Sequence, residues 1–104
     1  MKYLFDSHGN WIAFKLGRFI FNTNSNNIGW LPWNDDYVVD MSGNYLGHIY
    51  NNRFFKNAHA PYRGYPGYPG YPGYPGYPGY PGYAGYVTLP SGCSDFTEEQ
   101  LNQL

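Results

Sequence analysis

Three stretches in the first half of the chain repeat one pattern: a short strand, a polar turn, then a second short strand. Asp40-Met41-Ser42-Gly43-Asn44 leads into Tyr45-Leu46-Gly47-His48-Ile49, and Asp6-Ser7-His8-Gly9-Asn10 leads into Trp11-Ile12-Ala13-Phe14. More loosely, Asn22 to Asn27 leads into Ile28-Gly29-Trp30. Aligned on Asp6, Asn22 and Asp40, the units are spaced by 16 and 18 residues, with Ala13, Gly29 and Gly47 in register. A unit this short cannot bury its own aromatic face, so the hairpins must pack on one another. The small residue recurring at 13, 29 and 47 marks a crowded place where backbones or large rings approach closely near a pseudo-symmetry axis.

The local chemistry agrees with hairpins. Asp and Asn side chains bond their own backbone in turns and Gly takes positive φ, which makes Asp6–Asn10 and Asp40–Asn44 turns with a mechanism. The second turn, 22–27, has no Gly, and an Asn is expected to take the left-handed position there. From Trp11 to Leu16 the residues alternate, Ile12, Phe14 and Leu16 against Trp11, Ala13 and Lys15, which predicts a half-buried strand. Gly17-Arg18 and Asn51-Asn52 are the intervening turns, and Pro32 should end the strand before it. Arg53-Phe54-Phe55 opens a fourth unit that has no second half in the residues that follow. The N-terminal strand around Tyr3 is the candidate to complete it by pairing with the last strand.

Such a fold has little surface to bury. A domain of this size, residues 1–57, hides only about 60% of the surface of its unfolded chain. One cysteine, Cys93, and three histidines without a partner at ligand spacing supply neither a disulfide nor a metal cage. Trp11, Trp30, Trp33 and ten Phe or Tyr residues in the same stretch provide an aromatic core instead. Six basic against seven acidic residues, a net charge of −1, leave no electrostatic footprint for nucleic acid or an anionic membrane. No apolar run approaches the ~20 residues of a spanning helix, and Met1–Asp6 is too short for a signal peptide's apolar region, so a cytoplasmic protein is expected.

From Gly64 the composition changes to six Gly-Tyr-Pro triplets followed by Gly-Tyr-Ala and Gly-Tyr-Val, with glycine every third residue to Gly85. A stretch without aliphatic residues reads as a flexible, extended linker over 58–87. Its register also matches a collagen-like triple helix, and its regular tyrosines a self-associating tail. The last segment, 88–104, contains a helix start: Thr97 with Gln100 forms a capping box, and Phe96 with Leu101 a hydrophobic staple. About two turns follow, too few to stand alone. Phe96, Leu101 and Leu104 would then be docking contacts, on this chain's own β-domain or on another protein.

Little of this resembles catalytic equipment. Asp6, Asn22 and Asp40 read as turn caps, and Asp35-Asp36 as a solvated loop, since calcium loops draw oxygens from several spaced positions. Trp30, Trp33 and Tyr37, flanked by Asn34, Asp35 and Asp36, could stack on a sugar ring or a peptide, or could form the core. His48 stands where the other repeats have Phe14 and Trp30, so it marks either a site or the wetter side of the domain. Cys93 reads as an incidental exposed thiol.

The tandem strand, Asp/Asn turn and Gly-Asn-aromatic-aliphatic-small pattern of residues 3–55 resembles the bacterial four-fold β-flower proteins. These are small domains of β-hairpins about a pseudo-four-fold centre, with a low-complexity linker and a short C-terminal aromatic-acidic sequence. The resemblance implies an all-β, flower- or barrel-like fold and brings no activity, cofactor or catalytic residue. The expectation is therefore a non-enzymatic interaction or adaptor module without a cofactor or metal, its partner another protein or itself. A carbohydrate- or cell-wall-binding domain using Trp30, Trp33, Tyr37 and His48 is one alternative. A structural protein assembling through the Gly-Tyr-Pro register is the other.

Overall fold

The computed structural model describes residues 1–104 and contains eight strands and one short helix. Strands β1 (Lys2–Phe5), β2 (Trp11–Leu16), β3 (Phe19–Asn22), β4 (Asn27–Trp30), β5 (Tyr37–Asp40), β6 (Tyr45–Tyr50) and β7 (Arg53–Asn57) follow one another around a closed barrel. Neighbours in sequence pair antiparallel, and β1 meets β7 in parallel at Phe5 and Arg53, where the Phe5 amide donates to Asn52 O at 2.9 Å. Strand β8 (Cys93–Asp95) pairs antiparallel with the far end of β7, and α1 (Glu98–Asn102) follows it.

The three repeated turns share one hydrogen-bond set. Asp6 Oδ1 accepts from the amides of His8 and Asn10, Asn22 Oδ1 from Asn24 and Asn26, and Asp40 Oδ1 from Ser42 and Asn44, all at 2.8–3.0 Å. Gly9, Ser25 and Gly43 take the left-handed position, with φ of 88°, 65° and 89°. The second turn therefore differs from expectation: Ser25, not an asparagine, accepts the unfavourable φ, with Asn22 binding the amides on either side of it.

Each of the three repeated hairpins also carries a bulge in the same place. Leu4 opposes Ala13 while Phe5 opposes Trp11, so Ile12 is the extra residue, and Ile28 and Leu46 are its counterparts. The bulge defeats the simple alternation of β2. Ile12 and Ala13 both enter the central cluster, whereas Trp11 and Phe14 lie together in an outer one. Leu4, Ile20, Val38 and Phe54, one from each unit, are fully buried at the centre. The small residues beside them are a steric requirement. A Cβ on Gly29 would lie 2.6 Å from Val39 O, and one on Gly47 would lie 2.9 Å from the Phe54 ring.

The fourth hairpin does have a second half. It is β8, separated from β7 by residues 58–92, with Asn57 opposite Cys93 and Phe55 opposite Asp95. The N-terminal strand around Tyr3 does meet β7, but only through Phe5 and Arg53, and the second half of the hairpin comes from this distant strand. Phe96 stacks on Phe54 with ring centroids 4.9 Å apart, and Leu101 of α1 is buried in the same central cluster. Both halves of the Thr97–Gln100 capping box are formed. Asn22 Nδ2 donates to Leu101 O and Thr23 Oγ1 donates to the Glu98 carboxylate, which hold the helix on the turn after β3.

Gly47→Ala should lower stability by roughly 1–3 kcal/mol, because the added methyl meets a packed ring and a backbone carbonyl rather than open space. Urea denaturation checks this, and an unchanged midpoint would refute the crowded-centre account.

Candidate functional site

Residues 58–92 do not leave the barrel; they make a circuit of it against the order of the strands. Tyr37 Oη donates to Pro61 O (2.7 Å), and Tyr65 and Pro66 lie beside Gly43 in the third turn. Next, Arg18 Nη2 donates to Pro69 O (3.2 Å), Ser25 Oγ to Gly76 O (2.9 Å) and Tyr3 Oη to Pro78 O (2.8 Å). Trp11 receives the edges or faces of Tyr77 and Tyr80 at 5.9 and 6.1 Å. At the first turn the Ala84 amide donates to Gly9 O, and the Val87 amide to Ser7 O. The chain then returns to β7 as β8. The molecule is a disc of 35 × 34 × 23 Å, and a ring about 35 Å across measures roughly 110 Å. Residues 58–92 span at most roughly 115–125 Å when extended, so the segment is just long enough to be a belt.

Within the belt, glycines 64 to 85 all have φ between 79° and 90°. A polyproline II or collagen strand needs φ near −75°, so the belt is not in the collagen conformation. The period of three sorts the side chains. From Pro66 to Gly82 the prolines and glycines are partly or fully buried, while the nine tyrosines from Tyr62 to Tyr86 are 61–89% exposed.

Arg53 ties belt and barrel together. Its guanidinium is buried, with Nη1 donating to Asp6 O (2.9 Å) and Gly85 O (2.8 Å) and Nη2 to Ala84 O (3.1 Å). No carboxylate bonds to it; its partners are carbonyls and the Asn52 side chain.

A second cluster surrounds His48. The structure brings Trp33, Tyr37 and His48 together with Tyr45 and Tyr50: Trp33–Tyr37, Tyr37–His48 and Tyr45–His48 lie 5.2–5.3 Å apart between ring centroids. Trp30 belongs to the same outer cluster but is buried, with the Arg18 guanidinium 5.1 Å over its ring. The Asn57 amide donates to Tyr45 Oη at 2.9 Å, and the same hydroxyl is hydrogen-bonded to His48 Nδ1 at 2.7 Å. Arg63 lies 4.5 Å over Trp33 and bonds Asp35 at 2.6 Å. Burial opposes ionisation of Asp35, but the Arg63 hydrogen bond, the Tyr37 amide and the guanidinium charge hold its carboxyl below the usual range. Asp35 and Asp36 also border, with Lys15 and Arg18, an open polar cleft of about 460 Å³.

Cys93 is half-buried, not exposed. Its Sγ is 3.4 Å from Tyr50 Oη, and this contact, followed by burial, pushes the Tyr50 phenol up. Of the three docking contacts, Phe96 and Leu101 lie in this chain's own core and Leu104 is 61% exposed. Docking on the chain's own β-domain, one of the two alternatives left open, is what the structure contains. Arg63, Tyr45 and Asn57 were missed as members of the His48 cluster: the belt brings Arg63, strand pairing brings Asn57, and the bulge at Leu46 turns Tyr45 of β6 to the same side as His48.

The profile of the family described as 4-fold beta flower protein matches residues 2–93. The chain belongs to that family. The matched region contains β1–β7 and the belt and ends at the first residue of β8. Comparison with curated proteins and with solved structures finds no match. No helix of this β-flower chain is long and apolar enough to cross a membrane.

Two outcomes follow from these geometries. A Cβ on Gly9 would lie 2.5 Å from Gly85 N, so Gly9→Ala should lift the end of the belt off the first turn. Chymotrypsin reads this selectively, because six of the nine belt tyrosines precede proline and resist cleavage, whereas Tyr83-Ala84 and Tyr86-Val87 at the Gly9 end, and Tyr62-Arg63 at the far end, do not. The variant should be cut at the Gly9 end much faster than wild type, and equal rates would mean that the belt is not held at Gly9. Burial holds the His48 imidazole below its usual value, against the opposing charges of Asp35 and Asp36. Its neutral form is favoured in the folded state, so its contribution to stability is complete above pH 6.5 and is lost as pH falls through the lowered value. Urea denaturation against pH should show a shallower acid limb for His48→Phe, and an identical limb would remove His48 from that account.

Proposed function

We propose that this chain is a non-enzymatic protein-interaction module whose contact surface is the ring of belt tyrosines. The observation that carries the reading is the sorting of the belt. Nine phenol rings, 61–89% exposed, face outward from a backbone bonded to the barrel through its carbonyls. Tyrosine supplies large contact area with few torsions to immobilise, and a contiguous exposed aromatic surface is characteristic of binding sites. The belt also presents tyrosines at a fixed curvature, which lowers the ordering cost a free Gly-Tyr-Pro arm would incur on binding.

The carbohydrate-binding alternative has weaker support in the geometry. Trp30 and Tyr37 are buried, the Tyr37 hydroxyl is engaged by Pro61 O, and the guanidinium of Arg63 covers Trp33. A catalytic role for His48 finds equally little support. Its nearest hydroxyl, Tyr45, is pushed by burial to about 12, which makes it a poor nucleophile near neutrality.

Cross-linking in cells of tagged full-length chains separates these readings. Wild type and His48→Ala should give the same adducts, and a chain with Tyr68, Tyr71 and Tyr74 replaced by serine should lose them. Adducts retained by the serine chain but lost on His48→Ala would move the contact surface to the Trp33–His48 cluster.

A further inference from the structure

We infer that the partner of the tyrosine belt is the belt of a second copy of this chain, and that the association is open-ended and does not stop at a dimer. The inference rests on the reading of the belt as the contact surface and names its occupant.

Charge comes first. Not one charged residue lies between Gly64 and Ser94, and the whole chain carries a net charge of −1. Two belts can approach without like-charge repulsion, and a net charge this near zero favours association. Register comes second. The belt repeats every three residues, with a tyrosine outward and a proline and glycine behind it. Two belts therefore fit equally well when shifted by one triplet, so a match does not require a unique alignment. Offset or edge-on contacts between phenol rings, and rings laid on proline, are the geometries such rings prefer.

Area decides the stoichiometry. An aromatic side chain buries about 150–250 Å² when covered, and two discs touching at their rims engage roughly three tyrosines on each side. The contact then buries roughly 1,000 Å² in all, at the low end for a specific interface. One contact is thus weak and leaves most of the rim uncovered. Because the belt makes a full circuit, the remaining arcs offer further copies of the same surface. A closed dimer would satisfy one arc only; growth in several directions satisfies the rest.

Sedimentation velocity of the full chain over a wide concentration range tests this. The weight-average coefficient should rise continuously with concentration, and raising sodium chloride should not diminish the rise, since apolar contacts are not screened. Replacing Tyr68, Tyr71 and Tyr74 by serine should at least halve the rise, and replacing the same three by phenylalanine should restore it. Both variants are compared at a circular-dichroism melt matching wild type. A plateau at the dimer, or loss of the rise in salt, would overturn the inference, as would equal growth of the serine chain. A monomer at every concentration overturns self-association alone. The cellular cross-linking experiment then still decides whether the belt binds something else.

Discussion

Strands wound antiparallel alternate in direction, so seven of them cannot close a ring without one parallel contact. In this barrel that contact is confined to Phe5 and Arg53. Beyond it, the end of β7 from Phe55 to Asn57 has no partner from β1 and would remain an open edge. An open edge next to a fully buried Phe54 is both an aggregation hazard and an incomplete core. Strand β8 covers the edge, and Phe96 and Leu101 fill the space beside Phe54. The parity of the barrel thus creates the demand that the C-terminal segment meets.

The belt follows from the same demand. The residues that complete the fourth hairpin come after 58–92, and a loop that long inside a compact domain must either project or lie on the surface. Here it lies on the surface because the barrel offers donors along the way: Tyr37, Arg18, Ser25, Tyr3 and Arg53. Each bonds a belt carbonyl, so the anchoring is largely indifferent to belt side chains and leaves the tyrosines free to face outward. Arg53 joins both parts of this logic, since one guanidinium bonds Asp6 across the barrel closure and Ala84 and Gly85 of the belt.

What was legible in the sequence was local. The three Asx turns, the strands on either side, the capping box and the crowding at Ala13, Gly29 and Gly47 all depend on residues within one unit or its neighbour. The bulges at Ile12, Ile28 and Leu46 were not legible, because a bulge is a relation between two strands and alternation in one strand does not reveal it. Strand β8 was hidden by distance: Cys93-Ser94-Asp95 is too short and polar to read as the missing half of a hairpin opened at Arg53. The belt read as a flexible linker because its own side chains supply no core. Its order comes from donors scattered over the first 53 residues. Trp33, Tyr37 and His48 do lie side by side, with Trp30 as their buried support and Arg63 as their cover.

His48 illustrates what that combination implies. Its counterparts Phe14 and Trp30 are buried in clusters of aromatic rings, and a third large ring at position 48 would fill the same place. The histidine instead shares a hydrogen bond with the Tyr45 hydroxyl, whose oxygen also receives the amide of Asn57, the last residue of β7 before the belt begins. A phenylalanine would pack there but would leave the Tyr45 hydroxyl without its His48 partner in a half-buried site, at a cost of about 1–3 kcal/mol for the orphaned group. The break in the repeat at His48 thus coincides with the place where the belt begins at the end of β7. At that point one unit needs a polar link between β6 and β7, and the other two units, which carry no insertion, do not.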